Sequence, residues 1–213
     1  MENGIQRYRR YLRFLLVWIL KEKPRGLDFT MRKKASESEF AAGYHGYSVT
    51  PEMHFRKVMS YFIISPTDNF LDVGCGKGSV LKLASEYPFG RIEGVEYQAD
   101  LAQIARKNLK KLALDTRISI VCMDALKYND YDMFQYFYLF NPFGEDLFSK
   151  FLDIVAESIA NKPRSIVLIY HNPLYHELVL KSNLFKLKYE EYDHLKNYWT
   201  YIYQYEYNKK ESV

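Results

Sequence analysis

Residues 69–81 read Asn69-Phe-Leu-Asp-Val-Gly-Cys-Gly-Lys-Gly-Ser-Val-Leu81, an apolar run that breaks into glycines at 74, 76 and 78. Helix-compatible Val80-Leu-Lys-Leu-Ala84 follows at once. Glycines directly after a strand let the backbone turn sharply and approach a ligand that a side chain would exclude. The spacing is GxGxG, and Ser79 stands where a dinucleotide fold wants its third glycine. No GxxxxGK[ST] occurs, so this is not a phosphate-cradling P-loop.

Outward from this loop the chain alternates between two periods. Short apolar runs fall at Phe70–Val73, Ile92–Val95, Ile118–Met123, Tyr136–Phe140 and Ile166–Tyr170. Between them Asp100–Leu112 and Glu145–Ile159 carry apolar residues at helical intervals. Strands alternating with helices predict a parallel sheet covered on both faces. The ending differs: the segment from Phe185 and the segment Tyr198–Tyr207 alternate with period two, and a short connection joins them. That connection is too short for a parallel crossover and predicts an antiparallel hairpin. The expected fold is α/β, doubly wound and Rossmann-like: a seven-stranded mixed sheet of five parallel strands then an antiparallel hairpin, preceded by an N-terminal helical extension.

Two acidic residues stand where the first strands should end. Glu96 follows Ile92–Val95 and is placed to accept hydrogen bonds from ribose hydroxyls, and Asp124 follows the third run, where a carboxylate can accept from an exocyclic adenine amine. Glycine loop, Glu96 and Asp124, in order at the ends of strands one, two and three, together mark a nucleotide-type cofactor site.

Over residues 45–207 the sequence resembles the class I S-adenosylmethionine-dependent methyltransferases. The motifs that carry the resemblance are Leu71-Asp-Val-Gly-Cys-Gly-Lys-Gly78, Gly94-Val-Glu-Tyr97, Met123-Asp-Ala125 and Phe140-Asn-Pro-Phe143. It is also similar to bacterial members with Asn-Pro-Phe and an upstream Tyr-x-x-Thr, here Tyr47-Ser-Val-Thr50. The resemblance implies S-adenosyl-L-methionine as cofactor, its amino-acid part against Gly74–Gly78, its ribose on Glu96 and its adenine at Asp124. The cofactor-binding residues it implies are Asp72, Gly74, Cys75, Gly76, Gly78, Glu96, Tyr97, Asp124, Ala125 and Asn141. Asn141, Pro142 and Phe143, just past the fourth strand, are the candidate catalytic residues. The related Asn-Pro-Pro-Tyr pattern binds a planar amine; here the second proline is missing and the aromatic comes one place early. The competing reading is a turn-forming Asn-Pro with Phe143 in the core.

The expected activity is methyl transfer to a small molecule or protein side chain, nitrogen before oxygen. The alternatives are a non-catalytic cofactor-binding subunit and a nicotinamide-dependent oxidoreductase; the missing third glycine and the terminal hairpin count against the latter. Among the five histidines (45, 54, 171, 176 and 194) no metal-ligand spacing occurs, so no metal is expected. Tyr44, His45 and Tyr47 are candidate lid residues over the cofactor.

The 213 residues are 48% hydrophobic and 26% charged, a balance that excludes disorder over most of the length. Cys75 and Cys122 form no CxxC pair, which fits a reducing, cytoplasmic setting. Ten Lys/Arg and three Asp/Glu in residues 1–34 leave the remainder net acidic, so nucleic acid is disfavoured as a partner of the body.

The division expected is a basic N-terminal helix and irregular extension over 1–48, then a methyltransferase domain over 49–213. Thr50-Pro51-Glu52 predicts a helix start, with Thr50 as cap, running to Phe62. Residues 5–20 interleave apolar positions with Arg7, Arg9, Arg10 and Arg13, and the apolar run Phe14–Leu20 is too short to span a bilayer. Packing on the body or a second subunit, burying Leu12, Leu15, Leu16 and Ile19, is expected ahead of peripheral membrane contact.

Overall fold

The computed structural model describes residues 4–208, and side chains for 8, 9 and 11–208. The side-chain roles expected of Ile5, Arg7 and Arg10 lie outside the described residues.

The central sheet has seven strands: β1 (Phe70–Val73), β2 (Ile92–Glu96), β3 (Ile118–Cys122), β4 (Tyr136–Phe140), β5 (Ile166–His171), β6 (Lys186–Asp193) and β7 (Tyr198–Tyr205), in the order β3-β2-β1-β4-β5-β7-β6. The first five are parallel, β7 runs antiparallel beside β5, and β6 completes the edge as its hairpin partner. The helices of the body are α3 (Glu52–Met59), α4 (Ser79–Ala84), α5 (Ala99–Lys111), α6 (Glu145–Asn161) and α7 (His176–Lys181). Alternate strand side chains face opposite layers. Phe70, Tyr138, Ile169 and Ile202 join Phe55 of α3, Leu81 of α4 and Leu109 of α5 in one core. Leu71, Val73, Phe137 and Tyr170 join Phe148, Phe151 and Val155 of α6 in the other. The strand order reverses between β1 and β4, the switch point at which open α/β sheets bind ligands.

Several local expectations are corrected. Pro51, not Thr50, holds the N-cap position of α3, with no side-chain cap bond, and the helix ends at Met59 rather than near Phe62. The Thr50 hydroxyl is instead shared with that of Tyr138 at 2.8 Å. The stretch 27–48 is not wholly irregular: α2 (Glu37–Ala41) lies within it, held by a reciprocal capping box between Ser36 and Glu39.

The N-terminal helix α1 (Gly4–Val17) continues through a π-helical turn, Trp18–Glu22, and a 3₁₀ turn, Lys23–Arg25. The buried Glu22 carboxylate then accepts from the amides of Phe29 and Thr30 at 2.9 and 3.0 Å, which turns the chain back onto the body. Within the chain, Leu12, Leu16 and Ile19 remain exposed, and Leu15 alone of the four expected to be buried is half-buried.

Residues 26–50 form a strap across the C-terminal ends of β1, β2 and β4. Asp28 pairs with Lys77 at 2.7 Å and bonds the Asn108 side chain. The Tyr47 hydroxyl donates to Phe29 O at 2.6 Å, the amide of His45 to Pro142 O at 3.0 Å, and that of Gly144 to Gly43 O at 2.7 Å.

Candidate cofactor and methyl-transfer site

The loop after β1 carries positive φ at Gly74 (79°), Gly76 (54°) and Gly78 (80°), a conformation that side-chain-bearing residues rarely adopt. The three glycines serve different ends. A Cβ at Gly74 would lie 2.7 Å from Pro142, so this glycine lets the Asn-Pro turn after β4 abut the loop. A Cβ at Gly76 would strike the Tyr47 ring of the strap. Gly78 faces Ala105 and Leu109 of α5, so its place is in helix packing and not on the pocket wall where it was expected.

Glu96 ends β2 buried, with both carboxylate oxygens engaged. One accepts from Gly76 N and the other from Gln98 N, each at 2.8 Å. Burial raises its pKa above the ordinary range, and those two amides oppose the rise. Asp72 on β1 is also buried; desolvation first, then the nearby Glu96, hold its pKa well above the usual value. Burial likewise raises the Cys75 thiol, and its side chain packs towards Gly94. Two desolvated carboxylates beside a glycine loop make a pocket floor that a cation would stabilise.

One cavity is lined by Asp72, Gly74, Cys75, Gly76, Glu96, Tyr97, Ala125, Pro142 and Phe143 of the predicted site, together with Tyr44, His45 and Tyr47 of the strap. Asp124 and Asn141 stand just behind this lining. Asp124 accepts from Leu126 N at 3.0 Å, and burial, with the Asp124 charge nearby, pushes the Tyr44 phenol up to about 12. Tyr44 also stacks on Tyr97. The space left measures about 60 Å³, well below the ~300–1,000 Å³ of sites that hold drug-sized ligands.

Asn141 has φ 43° and is 6% exposed. Its Oδ1 accepts from the Tyr170 hydroxyl at 2.8 Å, and its carbonyl lies 2.8 Å from His45 Nδ1. The same Nδ1 lies 3.1 Å from the Asn141 side-chain Nδ2, so His45 meets both the backbone and the amide of this residue. Phe143 is buried against Phe151, as the core reading has it, yet still borders the cavity.

The fold also gathers residues that sequence spacing keeps apart. His54 of α3, His171 of β5 and Asp193 of β6 place ligand-type atoms within 4.8 Å of one another. Thr200 Oγ1 already occupies His54 Nε2 at 2.6 Å and His171 Nδ1 at 2.7 Å, so only His171 Nε2 and Asp193 Oδ2 face each other unbonded, at 3.6 Å. Two ligand atoms fall short of the four that a structural metal takes. His171 packs edge-on against Phe140, whose other side reaches the cavity.

Residues 70–161, somewhat under half of the chain, match the family model described as a methyltransferase domain. By that match the segment is a methyltransferase domain. The fold agrees over a longer span. The methyltransferase resembles an RNA methyltransferase from Salinibacter ruber in complex with S-adenosyl-L-homocysteine, at 18% identity over 74% of this chain and 94% of that one, TM-score 0.57. An O-methyltransferase from Bacillus cereus, also in complex with S-adenosyl-L-homocysteine, is 16% identical over 79% and 87%, TM-score 0.56. The ribosomal protein L11 methylase from Lactobacillus delbrueckii subsp. bulgaricus is 11% identical over 75% and 81%, TM-score 0.60. Their names span RNA, oxygen and protein acceptors, so the shared fold does not select one. No curated protein sequence matches the methyltransferase.

Proposed function

We propose that the enzyme moves the methyl group of S-adenosyl-L-methionine to a neutral nitrogen of a small molecule or a protein side chain, at the Asn141-Pro142-Phe143 turn. The observation that carries this reading is the contact of Pro142 with Gly74, which brings the turn after β4 against the glycine loop. Asp72, with Glu96 behind it, supplies negative charge to a cofactor bearing an ammonium and a sulfonium. Glu96 and Tyr97 serve its ribose and adenine, and Asp124 with Ala125 closes the adenine end.

The acceptor attacks the methyl carbon in line, the carbon–sulfur bond breaks with its electron pair passing to sulfur, and the acceptor nitrogen gives up a proton to restore neutrality. Alignment and exclusion of water are what the protein contributes. Tyr44 stands in the adenine position, so cofactor admission displaces it and with it the strap. That same movement withdraws His45 from the carbonyls of Asn141 and Pro142. Both carbonyls then become available to an acceptor carrying two N–H donors on one atom, which an amine has and a hydroxyl does not.

Incubation with methyl-labelled cofactor and fractionated small-molecule and protein acceptors tests the reading. Alkali-stable N-methyl label is expected. Label confined to RNA, or released as an alkali-labile ester, contradicts it.

A further inference from the structure

We propose that α1 and the π-helical turn after it dock on the surface of an anionic bilayer. Leu12, Leu16, Ile19 and Leu20 are 37%, 55%, 42% and 70% exposed and form a continuous apolar stripe along one side of the helix. Arg9, Arg13 and Lys21 border it and share a shallow concavity with Leu12, Leu16 and Leu20. Another side is taken: Phe14 lies beneath the Lys196 ammonium, 4.6 Å from ring centroid to nitrogen, while half-buried Val17 lines the same concavity as Leu16 and Leu20. The stripe therefore faces away from the body.

Charge selects the occupant. Residues 3–21 contain no Asp or Glu and five Lys/Arg, and of the acids that flank them in sequence, Glu2 and Glu22, the latter is buried with its carboxylate bonded to the amides of Phe29 and Thr30. A two-fold pairing of this surface with a second copy would bring together two patches that each carry Arg9, Arg13 and Lys21 and no acid to pair with them. Nucleic acid would satisfy the arginines and leave the leucines in water. An anionic lipid surface satisfies both: apolar side chains enter the headgroup–acyl boundary while arginines and the lysine meet phosphates. No helix among the described residues is long and apolar enough to cross a membrane, so the geometry is that of a helix lying in the interface.

Co-sedimentation of the full chain with phosphatidylcholine vesicles, and with vesicles containing about a third phosphatidylglycerol, tests the proposal. The protein should pellet with the anionic vesicles in low salt and be released by high salt. Leu16→Asp with Leu20→Asp should weaken partitioning by roughly tenfold or more, because two apolar side chains lose their burial. Arg9→Glu with Arg13→Glu should abolish the preference for anionic lipid. Both pairs are exposed, so Tm and cofactor affinity should stay at wild-type values, which keeps this result separate from the proposed function. Protein left in the supernatant, or pelleting untouched by either variant, overturns the proposal. So does a lipid-free dimer that Leu16→Asp with Leu20→Asp dissociates.

Discussion

Tyr44 lies flat against Tyr97, with ring centroids 4.5 Å apart and planes 5° from parallel, and Asp124 is close enough to raise its phenol pKa. On the proposed function, a planar ring stacked on the residue after Glu96 and beside Asp124 takes the place proposed for adenine. On that reading the strap competes with the cofactor. When the binding-competent state is only partly populated, apparent affinity falls by that fraction, and removing the competitor restores it. Tyr44→Ala should bind S-adenosyl-L-methionine several-fold more tightly than wild type, with Tyr44→Phe in between because it keeps the ring and loses the hydroxyl beside Asp124. Calorimetric titration reads the sign. Weaker binding by Tyr44→Ala would make Tyr44 a wall of the adenine site and not its occupant.

Asn141 combines a positive φ with a buried amide held by Tyr170. Asn141→Ala should lose about 1–3 kcal/mol of stability, since the Tyr170 hydroxyl is left unpaired and φ becomes strained. Asn141→Gly removes the amide and relieves φ, so it separates fold from chemistry. Turnover of Asn141→Gly should fall while cofactor affinity stays within a few-fold. Wild-type turnover in that variant would reduce Asn141 to a turn residue.

Where local sequence decides the structure, reading it was enough. The glycine loop, the strand runs and the amphipathic stretches of α5 and α6 depend on period and turn chemistry, and they form as those signals direct. The Ser36–Glu39 capping box was a local signal for α2 that the polarity of its surroundings obscured. The strap is different in kind. Its path is set by partners 49 and 96 residues away, Lys77 for Asp28 and Asn141 for His45. No short window of sequence contains such pairings. The same holds for His54, His171 and Asp193, drawn from one helix and two strands. For α1 the pattern fixed an apolar face, but whether the body covers that face depends on where Glu22 turns the chain.

Gly76 has no room for a side chain on either count, with φ 54° and the Tyr47 ring against it. Gly76→Val should lower stability by roughly 2 kcal/mol or more and remove cofactor binding. Thermal unfolding followed by calorimetry checks both effects. A variant with wild-type Tm would mean that the strap does not close on the loop in solution.

Burial, reinforced by His54 and Lys196, holds the His171 pKa well below the ordinary 6.5. Desolvation lowers His54 in the same direction. The unfolded chain therefore takes up protons first: stability is complete above about pH 6.5 and declines as the pH falls towards the folded-state value. Each such group contributes a slope of at most about 1.4 kcal/mol per pH unit. Denaturation at pH 7, 6 and 5 should show this decline, and His171→Gln should flatten it. Identical slopes for the two proteins would assign the acid sensitivity elsewhere.

The central claim, that the glycine loop with Asp72, Glu96 and Asp124 binds S-adenosyl-L-methionine, is met most directly by calorimetric titration of the full chain with that cofactor and with NAD. The predicted result is one-to-one binding of S-adenosyl-L-methionine, weakened in Glu96→Ala by about 1.5–3 kcal/mol as the glycine loop loses its anchor and the ribose its partner. Binding of NAD with none of S-adenosyl-L-methionine would contradict it.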